Sequence, residues 1–230
     1  MSKSAVRAFT HKPGKSKLKG SFKIFKTPLR HQRVLVFDTE TTIDEYQNLK
    51  IGSFQIFHDD YFQYEGLLYD PIALNEREIR AIEAYSQKYK KDLYLRDEFV
   101  DNVFYPEVFQ LKTLCAGFNL AFDLSRIAIR SGDSKGRNRG GFTLTLSDNP
   151  FNPPVKIKKL TEAYRFDFAR TKQNKGKNLF KGYFLDVQIL AKVLLQKKQI
   201  SLERAANVLN TPTQKMKGVE HGKVTKKYID

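Results

Sequence analysis

The sequence is short of several things at once. It has one cysteine, Cys115, no tryptophan and only two methionines. No internal disulfide framework is therefore available, and a single thiol suits a reducing, cytoplasmic setting. No apolar run approaches the ~20 residues that a bilayer demands, so no membrane partner is expected. The four histidines, His11, His31, His58 and His221, stand apart with no Cys or Glu at zinc-like spacing, which disfavours zinc chemistry. No phosphate-binding loop of the G-x-x-x-x-G-K-[ST] kind occurs. Cys115 falls in the middle of an apolar run and reads as core filler rather than as a nucleophile.

Acids are absent where bases are dense. The first 30 residues carry nine Lys or Arg and no Asp or Glu, with Pro13, Gly14, Gly20 and Pro28 interrupting any helix. Residues 1–30 read as a flexible basic arm; a basic, acid-free leader also fits an organelle-targeting segment. Over the whole chain 41 basic residues exceed 25 acidic ones, for a net charge of +16. That surplus favours a polyanionic partner, because each phosphate neutralised by Lys or Arg releases a counterion.

What is present from residue 31 onward is the pattern of an α/β domain, residues 31–230. VLVF is a short apolar run of the kind found in a central strand. IGSFQIF (51–57) and YFQYEGLLY (61–69) alternate as strands around a tight connection at His58, Asp59 and Asp60. Asn75 is placed to cap a helix with Ile79, Ile82 and Tyr85 on one face. A further helix is expected over 100–110, broken or bounded near Pro106. TLCAGFN (113–119) reads as a buried strand and LAFDLSRIAIRSG (120–132) as a helix closed by Gly132. Three strands follow, in FTLTL, VKIKKL and AYRFDFA. YFLDV then leads into the helix QILAKVLLQK, and Ser201 caps a last helix over 201–210. Strands first, then strands alternating with helices, predict a mixed sheet flanked by helices.

The chemistry sits at the strand ends. In VLVFDTETT, Asp38 and Glu40 are two apart and so share one strand face. Adjacent anions repel unless a cation lies between them. Hard divalent ions with oxygen ligands, Mg²⁺ or Mn²⁺, resolve that conflict, and a pair of them can activate water beside a phosphodiester. In CAGFNLAFDLSRIA a strand delivers Gly117 and Asn119, and Asp123 follows in the first turn of a helix. The plainer roles are a strand-end salt bridge for Asp38 and Glu40, and compensation of the helix dipole for Asp123.

FDTET followed by GFNLAFD resembles the first two motifs of the DEDD 3′–5′ exonucleases, D-x-E and N-x-x-x-D with Phe before the last Asp. It is most similar to the proofreading domain of family B DNA polymerases, and the resemblance runs from about Arg33 to the C-terminus. It implies a ribonuclease H-like fold, with Asp38, Glu40 and Asp123 as catalytic metal ligands for two ions. It also implies that Asn119 and Phe122 lie by the terminal nucleotide and that the backbone near Thr39 contacts its sugar. The partners it implies are single-stranded DNA 3′ ends and a C-terminal polymerase domain, in a bacterial, phage or plasmid setting.

The family's third motif, Tyr-x-x-x-Asp or His-x-x-x-x-Asp, is missing. Position 226, five beyond His221, is Lys226, and Tyr228 is followed by only two residues. The resemblance therefore predicts a domain incomplete at its C-terminus, binding nucleic acid and one metal ion and hydrolysing slowly or not at all. Asp186, closing YFLDV, is the one internal acid at a comparable strand end, where it also suits a helix N-cap. Lys135, Arg137 and Arg139 in one loop, and Lys175 and Lys177 in another, are candidate backbone contacts or solvated charges. Phe142, Tyr164, Phe166 and Phe168 are placed either to stack bases or to fill a core. The leading expectation is a metal-dependent 3′–5′ exonuclease domain acting on DNA; the alternative is a catalytically inactive nucleic-acid-binding module of the same fold.

Overall fold

A computed structural model of the chain describes residues 32–161, 163–171, 180–211 and 224. The basic arm over residues 1–30, together with Lys175, Lys177, His221 and Tyr228, lies outside the described residues.

The apolar run becomes β1 (Arg33–Thr41), which pairs antiparallel with β2 (Leu49–His58), and β2 in turn with β3 (Tyr61–Tyr69). The β2–β3 hairpin turns on Asp59 and Asp60, both in the left-handed region with φ of 50° and 69°. That conformation matches the twist of paired strands, and Asp tolerates it better than most residues. Helix α1 (Glu76–Tyr89) then crosses over to β4 (Asp92–Leu95), which lies parallel to β3. Asn75 accepts from the Glu78 N–H while Glu78 accepts from the Asn75 N–H, closing a capping box. On the other side of β1, β5 (Leu114–Gly117) and β10 (Tyr183–Asp186) add in parallel. The six-stranded order is β10-β5-β1-β2-β3-β4. The expected mixed sheet flanked by helices is what forms.

Two expectations need correction. The segment over 100–110 is not broken at Pro106. After α2 (Arg96–Phe99) it continues as a π-helix, Val100–Gln110, with Pro106 inside it. Pro lacks an N–H and its ring crowds the carbonyl four residues back. A wider turn eases the crowding, and the Leu111 N–H reaches the Pro106 carbonyl five residues earlier at 2.9 Å. Likewise the helix expected over 120–132 stops early. Helix α3 spans Leu120–Arg126, and Arg130–Asp133 becomes β6. The completely buried Ile127 anchors the exit, and β6 pairs with β7 (Phe142–Thr145).

β6 opens a second, four-stranded antiparallel sheet, β6-β7-β8-β9, with β8 (Val155–Lys159) and β9 (Tyr164–Phe168). The main core joins both sheets: Leu35, Phe37, Phe54 and Ile56 of the first meet the π-helix residues Phe104 and Tyr105 and, from the second, Val155, Phe166 and Phe168. Phe166 and Phe168 are core residues, whereas Phe142 is exposed. Cys115 is fully buried in the same core, and burial pushes its thiol pKa up, as fits an inert packing residue. On the opposite face of the central sheet Ile51 and Leu67 pack with Ile82 of α1 and with Val224. There the buried Lys50 ammonium meets Glu78 at 2.6 Å, and the Val224 N–H donates to the same carboxylate at 3.0 Å. Helices α4 (Val187–Leu194) and α5 (Leu202–Leu209) complete the described fold around Ala191, Ile200 and Ala205. Among the described residues no helix is long and apolar enough to cross a membrane.

Glycine 66 shows how tightly the first sheet is built. It sits opposite Phe54 in the register, and a Cβ there would lie 2.7 Å from the Phe54 ring and 2.9 Å from the Asp92 carbonyl oxygen. Gly66→Ala is expected to cost about 1–3 kcal/mol through overpacking, seen as a lower urea midpoint. Gly132→Ala, where nothing lies within 4 Å, is the control and should stay within about 0.5 kcal/mol. Equal midpoints for the two variants would contradict this packing.

Candidate functional site

The end of β1 has two faces with different work to do. Leu35, Phe37 and Thr39 are buried on one, while Asp38 and Glu40 share the other, Asp38 exposed and Glu40 half-buried. Thr39 directs both of its donors inward. Its backbone N–H lies 3.1 Å, and its Oγ1 2.7 Å, from Asp123 Oδ1. The residue read as a sugar contact thus holds the third acid of the motif pair.

Asp123 reaches that position because of how the chain leaves β5. Asn119 adopts the left-handed conformation, φ 73° and ψ 46°, which Asn accepts more readily than most residues. Its carbonyl takes the N–H groups of Phe122 and Asp123 at 2.9 and 3.4 Å, so α3 starts at once. Gly117 clears the space beneath. A Cβ there would stand 3.1 Å from Leu120, 3.2 Å from the Phe37 carbonyl and 3.5 Å from Asp123 Oδ2.

The next strand brings another acid to the same place. Asp186, at the end of β10, lies opposite Gly117 in the parallel register. Its Oδ1 caps α4, accepting from the Gln188 and Ile189 N–H groups at 3.0 and 3.3 Å. The Asn119 backbone N–H lies near enough to this carboxylate to hold its pKa down. The N-cap role is therefore real, and it uses only part of the side chain. Asp186 Oδ2 and Asp123 Oδ2 are both buried without a hydrogen-bond partner, in residues 7% and 2% exposed.

Electrostatics follow from that burial. Loss of hydration pushes the Asp123 pKa up to about 7; the Asp38 charge adds to the rise, the two Thr39 bonds oppose it, and Asp186 adds a smaller push. Burial raises Asp186 as well, against the N–H bonds and Lys192. The structure thus brings Asp38, Thr39, Asp123, Asn119 and Asp186 into one electrostatic neighbourhood. Glu40 shares the Asp38 face of β1.

Among the described residues no group of three or more His, Cys, Asp or Glu side chains is placed to hold a metal ion. The donor chemistry nevertheless fits a hard cation. Two buried carboxylate oxygens lack partners and a third carboxylate adds charge, and Mg²⁺ needs only one or two protein carboxylates, taking its other ligands from water and phosphate.

Phe122 is half-buried at the rim, with the Arg126 guanidinium 4.8 Å from its ring centre. Arg126 Nη1 donates to the Tyr46 and Gln47 carbonyls at 3.2 and 2.6 Å. This cation fastens α3 to the loop after β1, a contact across 80 residues that no local pattern announces. Lys135 and Arg139 are exposed in the β6–β7 connection, where with Asp133, Ser134, Gly136 and Gly140 they line a cavity of about 600 Å³. The Arg137 side chain, in the same turn, lies outside the described residues, as do Lys175 and Lys177. Among known proteins no family model matches the chain, and no curated protein matches it.

The raised Asp123 pKa sets a pH dependence with a definite sign. The folded protein holds this proton up to about pH 7, whereas the unfolded chain releases it near the ordinary value of about 3.9. The contribution to stability is complete below about pH 4 and is lost as pH rises through 7. In chelator, the wild type should lose on the order of 4 kcal/mol relative to Asp123→Asn between about pH 4 and pH 8. Urea unfolding across that range measures it, and parallel profiles for the two proteins would contradict a buried, proton-holding Asp123.

Proposed function

We propose that this chain carries a metal-dependent 3′–5′ exonuclease domain of the DEDD type, acting on single-stranded DNA ends. The observation that carries this reading is that Asp123, just after β5, and Asp186, at the end of β10, each bury a carboxylate oxygen with no hydrogen-bond partner, with the Asp38 charge of β1 near enough to raise the Asp123 pKa. Structural ion pairs would supply a cation from the protein; among the described residues the inner oxygens of Asp123 and Asp186 have no hydrogen-bond partner. Mg²⁺ or Mn²⁺ is the ion that suits all-oxygen ligands. The sheet order, with antiparallel β2 and β3 on one side of β1 and parallel β5 and β10 on the other, supports the ribonuclease H-like arrangement that the motifs imply.

In this reading Asp38 and Asp123 hold the cation, with Glu40 beside Asp38. When bound, the ion neutralises phosphate charge and activates a water for attack on the terminal phosphodiester. Thr39 fixes the Asp123 carboxylate so that the site is preorganised. Asn119 and Phe122 border the place of the terminal nucleotide. The half-buried Phe122 ring, which packs against the Arg126 guanidinium, and the exposed Tyr46 ring offer faces on which bases stack. Lys135 and Arg139, with the net charge of +16, draw in the phosphate backbone. A polymerase domain following in the same polypeptide fits the same reading.

One observation favours a second reading, a module that binds nucleic acid without cutting it: among the described residues no three candidate ligands are gathered into one metal-holding group. Single-turnover trimming of 3′-labelled single-stranded DNA with Mn²⁺ separates the two. The exonuclease reading expects release of nucleoside monophosphates, lowered about 10²-fold or more by Asp38→Ala. Salt-sensitive binding with no turnover supports the binding module, and trimming untouched by Asp38→Ala overturns the proposed site. Running RNA in parallel assigns the substrate.

A further inference from the structure

We infer that Asp186 is a cation ligand of this site as well as a helix cap, presenting Oδ2 to the same ion as Asp123 Oδ2. The inference rests on the metal-site reading above and adds a residue that the D-x-E and N-x-x-x-D motifs do not contain.

Three observations carry it. The first is placement: Asp186 is the strand neighbour of Gly117, the glycine whose missing Cβ leaves room for Asp123 Oδ2 at 3.5 Å. Gly117 thus lies beside both residues, and the Asp186 charge adds to the rise of the Asp123 pKa. The second is the division of labour within the side chain. Backbone N–H groups of Gln188 and Ile189 occupy Oδ1, while Oδ2 is buried and unpartnered in a residue 7% exposed. A cap needs one acceptor oxygen, and Asn or Ser supplies it without a charge. The third is cost. Two buried, unpartnered carboxylate oxygens facing one neighbourhood are unfavourable by desolvation and by mutual repulsion. A hard divalent cation removes both penalties, and two carboxylates are a sufficient protein contribution for Mg²⁺.

The test is Mn²⁺ binding to the full chain, followed by calorimetry and by electron paramagnetic resonance, for wild type, Asp186→Asn, Asp186→Ser and Asp123→Asn. Both replacements at 186 keep a capping oxygen and remove the charge. Weakening of at least about tenfold in both, with unchanged circular dichroism, supports the assignment. Binding equal to wild type in both, while Asp123→Asn is weakened, overturns the role of Asp186 and leaves the metal-site reading standing. Binding unchanged in all three variants overturns both. Loss of the fold in both Asp186 variants also overturns it, by making the charge a structural requirement.

Discussion

Two hydrogen bonds from Thr39 to Asp123 are the contact on which the rest of the site depends. They join residues 84 apart in sequence, one at the end of the central strand and one in the first turn of α3. Everything nearby is arranged so that this contact can be made. Gly117 leaves the space, Asn119 takes the left-handed turn, and Arg126 secures the far end of α3 to the loop after β1. The same contact explains why strand alternation matters here. With Thr39 turned inward, Asp38 and Glu40 face out from the opposite side of β1.

The site is expensive in stability. A carboxylate held at 2% exposure with one oxygen unpartnered is a configuration that a fold selected for stability alone replaces with an amide or an apolar side chain. Elsewhere the protein satisfies its buried charges. Lys50 meets Glu78, Arg33 makes a two-pronged contact with Glu107 at 3.0 and 2.5 Å, and Arg165 meets Asp167 at 2.7 Å. The contrast between those paired charges and the open oxygens of Asp123 and Asp186 is what supports the proposed ligand site.

Much of this was legible in the sequence because it is local. Period-two alternation in VLVFDTET put Asp38 and Glu40 on one face, and Asn75 announced the start of α1. Asp186 and Ser201 stood where helix caps belong. What escaped depends on distant partners. The π-helix through Pro106 forms because the buried Phe104, Tyr105 and Val108 hold the segment helical against a residue that interrupts α-helices. β6 exists because β7 pairs with it, although its own residues, Arg130 to Asp133, carry no strand pattern. The split into two sheets is likewise a matter of which strands meet. The partnerless oxygen of Asp186 was hidden by the very cap signature that made the residue noticeable.

The claim at the centre is that the buried carboxylates are completed by a hard cation, and thermal unfolding with and without Mn²⁺ at two pH values tests it most directly. Near pH 8, with Asp123 ionised, Mn²⁺ at a hundredfold excess over its dissociation constant should stabilise the fold by about 2.7 kcal/mol. Near pH 5, with Asp123 protonated, the gain should largely vanish. A melting temperature indifferent to Mn²⁺ at both pH values would contradict the claim.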